Sequence, residues 1–579
     1  MQLLKHFKEL TVRPKNAQEL KGLILQLAIQ GKLTGKWREE NPDIEPASLL
    51  LKRISKEKTQ LIKEKKIRKG KKSGSIKNEE KYLDIPEKWE WARIIEIGNL
   101  FNGNSVNKSE KATKYEGLET GYPYLGTKDI NYGFEPLNYD NGVRIPFDEP
   151  KFKIAHKNTA LICSEGGSAG KKCGITTKDI CFGNKLYALE QYGNIEPVFI
   201  LSIYKTPIFF EIFQSKMTGI IGGISINSFG DIPMPLPPLE EQKAIVEVVE
   251  TLFKEVEQLE QLTVERITLK EDFVTSALNQ LTTNNAKKEW EFLQDHFKSF
   301  FDETHNIKKL RETVLQLAVQ GKLTADWRLQ QSLNGAEVED ASILLKRIKD
   351  ERKRLVKEKK IKDEKQISSI TDEEIPYALP ESWVWCRMQD LCPNISSGST
   401  PPKPYFKEEG VPYLKVYNIR NQKIDFDYRK QFVDKEYHST KLKRSILKPG
   451  DVIMNIVGPP LGKVAIIPDD FPEWNCNQAI SFFQPLDRKL NTWLYTFLLA
   501  GTFLDRIELI GTAGQDNISV TKSKTIMLPL PPLEEQKAIV QKVNALMGLC
   551  DALEQEVQQS QEHSEQLMQS CLWEVFENY

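Results

Sequence analysis

Cysteine is scarce in this chain of 579 residues: there are eight, none forms a C-x-x-C pair, and the closest two, Cys386 and Cys392, have no histidine cluster beside them. A disulfide framework and a zinc site are therefore disfavoured, and reduced, partly buried thiols are the expectation. Long apolar runs are missing as well. The longest, TALIC and WLYTFLLAG, fall far short of the roughly 18 to 20 residues a membrane helix needs. The opening MQLLKHFKEL is charged early and lacks the apolar core of a secretion signal, so a cytoplasmic protein without membrane contact is expected. Net charge is absent too, with 81 Lys and Arg against 81 Asp and Glu. That balance argues against a freestanding nonspecific nucleic-acid binder.

What is present is a strong sorting of that charge. Residues 50–81 hold thirteen basic against four acidic groups, net +9, whereas 239–282 hold four against ten, net −6, and 533–579 two against nine, net −7. The sorting follows an internal duplication. LQLAIQGKLT at 25–34 returns as LQLAVQGKLT at 315–324. LLKRISKEKTQLIKEKKIRK from Leu50 is answered by LLKRIKDERKRLVKEKKIKD from Leu344, PEKWEW at 86–91 by PESWVW at 380–385, and LPPLEEQKAIV at 236–246 returns letter for letter at 530–540. Between Trp91 and Pro237, and between Trp385 and Pro531, the likeness almost vanishes. A constant frame carries two unlike inserts.

In the repeated word, the prolines suit the entry of a helix and the glutamates its positive end. Downstream, Ile245, Val249, Leu252, Val256 and Leu259 follow a 4-3-4-3 spacing, and Ile539, Val543, Leu546, Cys550 and Leu553 repeat it. This is a coiled-coil seam. A helix from Pro237 to Leu281 would run roughly 65 Å. Two such seams are buried together if the helices pair antiparallel, as a pseudo-twofold duplication allows; packing of each seam on its own domain is the alternative. The helices ending in QGKLT stop at Gly31 and Gly321. The basic runs after them read as solvated Glu/Lys helix surface, or as contacts to DNA or a partner subunit.

The inserts read as short strands and turns. Each has a hairpin whose loop runs G-x-x-x-G-K, at Gly166 to Lys171 and Gly458 to Lys463. A phosphate-binding loop needs four residues between the glycines, a Ser or Thr after the lysine and a helix beyond; here Lys172 or Val464 follows, then an apparent strand. A tight loop presenting one lysine to a phosphate or base edge fits better. Asn and Gln can pair with adenine, Arg and Lys with guanine, and aromatic rings can stack on bases. On that chemistry the candidate DNA contacts are Lys128, Asn131, Ser168, Lys171, Lys172 and Asn184 in the first insert. In the second they are Lys415, Tyr417, Asn418, Arg420, Lys463, Asn477, Gln478, Gln515 and Asn517. Asn184 of CFGNKLYAL is read opposite Asn477 of NCNQAISFF, and IGGIS opposite QDNIS. The second insert, 387–529, has nineteen basic against fifteen acidic residues, and the first, 93–235, fifteen of each. By itself that charge is weak evidence for DNA.

Two copies of PLPPLEEQKAIV, each closing a variable domain and opening a long helix, resemble the specificity subunit of type I restriction-modification enzymes. PE-x-W-x-W at the head of each insert, KPGDVIM with NCNQAISFF, and the LQLAVQGKL…LLKRI…KEKKIK connector extend the resemblance over essentially the whole chain. It implies an α+β duplication: a helical region at 1–85, a target-recognition domain at 86–235, a long helix at 236–283, then 284–379, 380–529 and 530–579 in the same order. Each recognition domain would read one half of a bipartite asymmetric site in double-stranded DNA, and the antiparallel helices would set the spacer. The frame would recruit two methyltransferase subunits that bind S-adenosylmethionine and methylate adenine, and the full complex would add ATP- and Mg-dependent restriction/translocase subunits.

By that resemblance the chain binds no cofactor or metal and is not a catalyst. Its Pro-Pro pairs, in LPPLE, TPPKP and GPPLG, do not match the [DNS]-P-P-[YFW] tetrapeptide with which adenine methyltransferases hold a flipped base. No Walker sequence is present. KDERK at 349–353 supplies a nuclease-like E-x-K only within a charged helix. Two other readings stand beside this one: a coiled-coil scaffold whose inserts bind protein, and an enzyme acting on DNA alone.

Overall fold

The order of elements repeats. In the computed structural model, which describes residues 13–67, 74–219, 222–283, 287–364, 367–507, 509 and 517–577, the chain divides into two units. The boundaries fall inside the two long helices, between Ile267 and Thr268 and between Gln566 and Leu567, so that the end of the last helix belongs to the first unit.

In the first unit, helix Pro14–Ile29 ends where Gly31 takes a left-handed φ of 68° and the Lys32 N–H reaches back to the Leu27 carbonyl. A side chain at Gly31 would be strained by that φ and would also strike Pro86 and Trp89 of the PEKW stretch. Gly321 has a φ of 73° and the same neighbours in Pro380 and Trp383. Repeated glycine and repeated PE-x-W are thus two sides of one contact.

Each insert is entered and left through a two-stranded antiparallel ladder, Glu90–Arg93 with Pro233–Leu236 and Val384–Arg387 with Met527–Leu530. A strand written PMPL can serve because it is paired on one side only. Beyond the ladder lie two four-stranded sheets. One is antiparallel, in the order Gly98–Asn102, Leu186–Gln191, Ala160–Cys163, Cys173–Ile175. The other is mixed, with Tyr122–Leu125 parallel to Ile180–Phe182. The second insert repeats the antiparallel sheet and the parallel pair, as Val411–Leu414 with Asn475–Cys476. Its fourth mixed-sheet strand, Phe406–Lys407, lies on Phe432–Val433, whereas in the first insert Ile154–Ala155 lies on Ile180–Phe182. It adds one hairpin of its own, Ile419–Arg420 with Lys423–Ile424. The central strands ALIC and VIMN are buried at every position, which is why they read as unbroken apolar runs.

The word LPPLEEQKAIV is explained by its second glutamate. Glu241 is fully buried. One of its carboxylate oxygens accepts from Thr34 Oγ1 at 2.7 Å and from Arg38; the other accepts from Trp89 Nε1 at 2.8 Å. Glu535, also fully buried, takes the same three donors, Thr324 at 2.7 Å, Arg328, and Trp383 Nε1 at 2.8 Å. A buried carboxylate persists only when so paired. The next residue is spent as well, with Gln242 and Gln536 donating to the carbonyls of Pro237 and Pro531. The glutamate therefore fixes three parts of each frame at once: the QGKLT turn, the insert's entry and the long helix.

The long helices are Leu239–Thr283 and Leu533–Glu577, 45 residues each. Their seams are used in two ways, on the short helices of each unit and, farther along, on the other long helix. Ile245, Val249 and Val256 lie in the core of the first unit with Leu20, Ile24 and Leu27, and Leu252 and Leu259 pack at its edge. Ile539 and Val543 likewise enter the core of the second unit. Near the start of each long helix the seam packs on the short helix that lies along it, Pro14–Ile29 or Thr304–Val319. Lys21 reaches Glu257 at 2.8 Å, and Arg311 reaches Glu554 at 2.8 Å. Leu546 is half-buried. Within the second unit Cys550 and Leu553 pack with Val274, Ala277 and Leu278 of the first long helix. The direction is antiparallel there. Lys270 pairs with Asp302 while neighbouring Glu303 accepts from Gln561, and Thr282 accepts from Lys322 while neighbouring Leu323 accepts from Lys542.

Candidate nucleic-acid interface

In both inserts the G-x-x-x-G-K loop is built from left-handed glycines, with φ of 83° and 70° at Gly166 and Gly170 and of 78° and 76° at Gly458 and Gly462. Strands Cys173–Ile175 and Val464–Ile466 follow, so neither loop opens a helix as a phosphate-binding loop does.

Around the first loop the structure assembles most of the expected residues. Ser168 Oγ lies 3.3 Å from Tyr132 Oη, and Lys172 sits over the Tyr132 ring at 4.8 Å while donating to the Thr127 carbonyl. Lys171 lies over Phe210 at 5.7 Å. Asn131 donates to the Pro136 carbonyl, fixing its loop. Lys128 and Asn184 are exposed. Asn184 adjoins Lys185, whose carbonyl accepts from the Ser164 N–H at the base of the loop. A cation laid on a tyrosine beside exposed Lys and Asn groups is suited to a polyanion with planar bases.

Around the second loop, Asn455 is buried and closes the turn, accepting from the Lys463 N–H and donating to the Pro460 carbonyl. The Ile456 N–H donates to Ala479, and the Ile518 N–H to Ile456, each at 2.9 Å. These bonds bring Lys463, Asn477, Gln478 and Asn517 to one end of the domain. Gln478 accepts from the Thr400 hydroxyl. Gln515 lies outside the described residues. Lys415 sits over Tyr417 at 6.0 Å, and Arg420 over Tyr428 at 4.3 Å. Burial raises the Tyr417 phenol pKa, with Arg429 opposing.

Two expectations need correction. Asn418 is buried: its Oδ1 accepts from the Lys415 N–H, and its Nδ2 donates to the carbonyls of Asp425 and Tyr428. It holds the loop and is unavailable to a base edge. The partner of Asn477 in the first insert is not Asn184. The parallel pairings place Cys181 opposite Tyr124 and Asn475 opposite Tyr413, and the N–H groups of Gly183 and Asn477 both cap the next carbonyl, of Leu125 and Leu414. Gly183 therefore corresponds to Asn477, and Asn184 to Gln478. The bridges Glu165 to Gly223 and Val457 to Asn517 align Gly223 with Asn517. Sequence reading missed Tyr132, Tyr428 and Arg429. Arg429 lies over both Tyr417 and Tyr428, and the signal was the basic-aromatic run DYRK at 427–430.

Behind these loops each domain is held alike. Tyr124 Oη donates to the Asn104 carbonyl at 2.8 Å and Tyr413 Oη to that of Ser399 at 2.9 Å, and burial pushes the Tyr124 phenol up to about 12. The E-x-K of KDERK lies within helix Ala341–Lys357, where Glu351 pairs with Arg354. No helix among the described residues is long and apolar enough to cross a membrane.

One backbone framework used twice, with different polar groups on the same loops and a common buried pin to a constant frame, defines a tandem pair of variable domains. The family model described as the type I restriction modification DNA specificity domain matches residues 86–269 and again 380–562, and the chain belongs to that family. It is 30% identical to the type I restriction enzyme EcoAI specificity subunit of Escherichia coli, over 93% of this chain and 90% of that one. It is 28% identical to the EcoEI specificity subunit of Escherichia coli, over 94% and 91%. A solved specificity subunit from Thermoanaerobacter tengcongensis is 17% identical, over 86% of this chain and 98% of its own, with a TM-score of 0.40.

Proposed function

We propose that this chain selects the DNA sequence on which a type I restriction-modification complex acts. Each variable domain reads one half of a bipartite, asymmetric site in duplex DNA. The observation that carries this reading is the pairing of Gly183 with Asn477 and of Gly223 with Asn517: one framework, held in one way by the frame, with unlike chemistry at corresponding loop positions. Two readers so built would recognise two unlike half-sites, and the long helices would hold them about one turn of DNA apart. The chain is non-catalytic and binds no cofactor in this reading. Two methyltransferase subunits bring S-adenosylmethionine and methylate adenine, restriction/translocase subunits bring ATP and Mg, and the complex works in the cytoplasm.

The test is a genome-wide map of N6-methyladenine in cells making this chain with its methyltransferase partner, against cells lacking only this chain. A bipartite motif that disappears with the chain supports the reading. A methyltransferase that is active with another specificity subunit, yet leaves no motif dependent on this chain, rejects it in favour of a protein-binding scaffold.

A further inference from the structure

The hairpin private to the second domain, Ile419–Arg420 with Lys423–Ile424, turns through Asn421 and Gln422, at φ of 49° and 58°. Both central residues are left-handed, as a type I′ hairpin turn requires, yet neither is glycine. Backbone of this kind persists where its surroundings over-determine it. Here Gln422 accepts through Oε1 from the Val464 N–H at 2.8 Å, and through its carbonyl from Tyr495 Oη at 3.0 Å. The hairpin is thereby fastened to the strand that follows the G-P-P-L-G-K loop.

At its edge, the Arg420 guanidinium lies over the Tyr428 ring at 4.3 Å, with its Nε 3.5 Å from Asp425 Oδ2. Asp425 is itself placed, since its Oδ1 accepts from the Tyr428 N–H at 3.2 Å and its own N–H donates to the Asn418 carbonyl at 2.8 Å. The buried amide of Asn418 in turn ties the backbone of Asp425 and Tyr428. Half of the Arg420 side chain remains exposed.

We infer that Arg420 reads a guanine in the second half-site, with Asp425 and Tyr428 as positioning residues; this rests on the DNA-reading role proposed above. A carboxylate beside the guanidinium repels a phosphate, so a backbone contact is disfavoured. The O6 and N7 acceptors of guanine are neutral and match the two terminal nitrogens of the fork bidentately. A two-stranded ribbon is also an element the major groove admits.

The test uses the complex of this chain with its methyltransferase partner and a duplex carrying the mapped motif, with each guanine of the second half-site replaced in turn by 7-deazaguanine, which lacks N7. For the wild-type complex, one replacement is expected to weaken binding roughly 5- to 150-fold. Arg420→Ala should bind the unmodified duplex more weakly and be insensitive to that replacement. Arg420→Lys, which keeps the charge and loses the fork, should behave likewise. Unchanged discrimination in the first half-site shows that these variants are folded. A wild-type complex indifferent to every replacement overturns the inference, as does an Arg420→Ala complex that keeps the sensitivity. So does a uniform loss over all sequences with a shallower salt dependence, which makes Arg420 a phosphate contact. A complex that reads a bipartite motif and gives any of these results leaves the reading role intact; absence of any motif dependent on this chain removes that role and this inference together.

Discussion

Trp383 donates its indole N–H to Glu535 at 2.8 Å across 152 residues of chain, and Trp89 does the same to Glu241 across the same interval. The tryptophan heads the variable domain and the glutamate opens the helix that follows it. The stretch in which the two copies differ, from Trp91 to Pro237 and from Trp385 to Pro531, lies between the two ends of this bond.

Removal of the indole donor leaves a buried carboxylate oxygen unpaired. Trp383→Phe should lower the stability of the second unit by about 1–3 kcal/mol, and Trp89→Phe that of the first by a similar amount. Glu535→Ala should cost more, about 3–5 kcal/mol, since it leaves Arg328 without its partner. Urea unfolding followed by fluorescence measures each.

Acid should weaken the ion pairs at the frame–insert junctions. Hydrogen bonds from Arg93 hold the Glu80 carboxyl below its usual range, and those from Arg387 do the same for Glu374. A carboxyl with a depressed folded pKa contributes stability that is fully present above its unfolded pKa and is lost as pH falls through the folded value. Stability from these pairs should hold from neutrality to near pH 5 and decline below the ordinary glutamate value of about 4.3. In Glu80→Gln/Glu374→Gln the melting temperature should depend less steeply on pH in that acid window.

Among the described residues, seven cysteines are buried. Burial pushes the thiols of Cys163, Cys181 and Cys476 up to about 12 and that of Cys173 up to about 11. Since the thiolate is the reactive form, these groups should resist Ellman's reagent at pH 8 in the native protein and react fully in denaturant. Rapid native labelling would contradict the packing described.

The spacer should respond to helix length between the stretches that enter the two cores. Leu259 still touches the core of the first unit, and Val274 is buried in the second. Seven residues inserted after Glu265 add roughly 10 Å of helix, up to about three base pairs at ~3.4 Å each. The methylated motif should gain spacer and keep both half-sites; an unchanged spacer would mean that another element sets the separation.

The duplication, the helix starts and the strand framework were legible because each leaves a local signature: a repeated word, a proline-glutamate entry, an apolar run. The reason for the repeated word was not legible. Glu241 and Glu535 look like solvated helix-entry glutamates until the fold carries Trp89 and Trp383 to them. The seam was legible as a stripe but its partners were not, since a 4-3-4-3 spacing is satisfied both by the other long helix, as at Cys550 and Leu553, and by the short helices Pro14–Ile29 and Thr304–Val319. Asn418 looked like a base reader because composition does not reveal that its amide is turned inward onto Asp425 and Tyr428. The offset between Asn184 and Asn477 needed the strand register, which no local motif carries.

The central claim, two independent readers on one frame, is tested most directly by exchanging the first insert between Arg93 and Pro233, the ends of its closing ladder, for that of another family member, and mapping N6-methyladenine genome-wide. The account predicts a motif with one new half-site, the second half-site unchanged and the spacer unchanged. A change in both halves would contradict it.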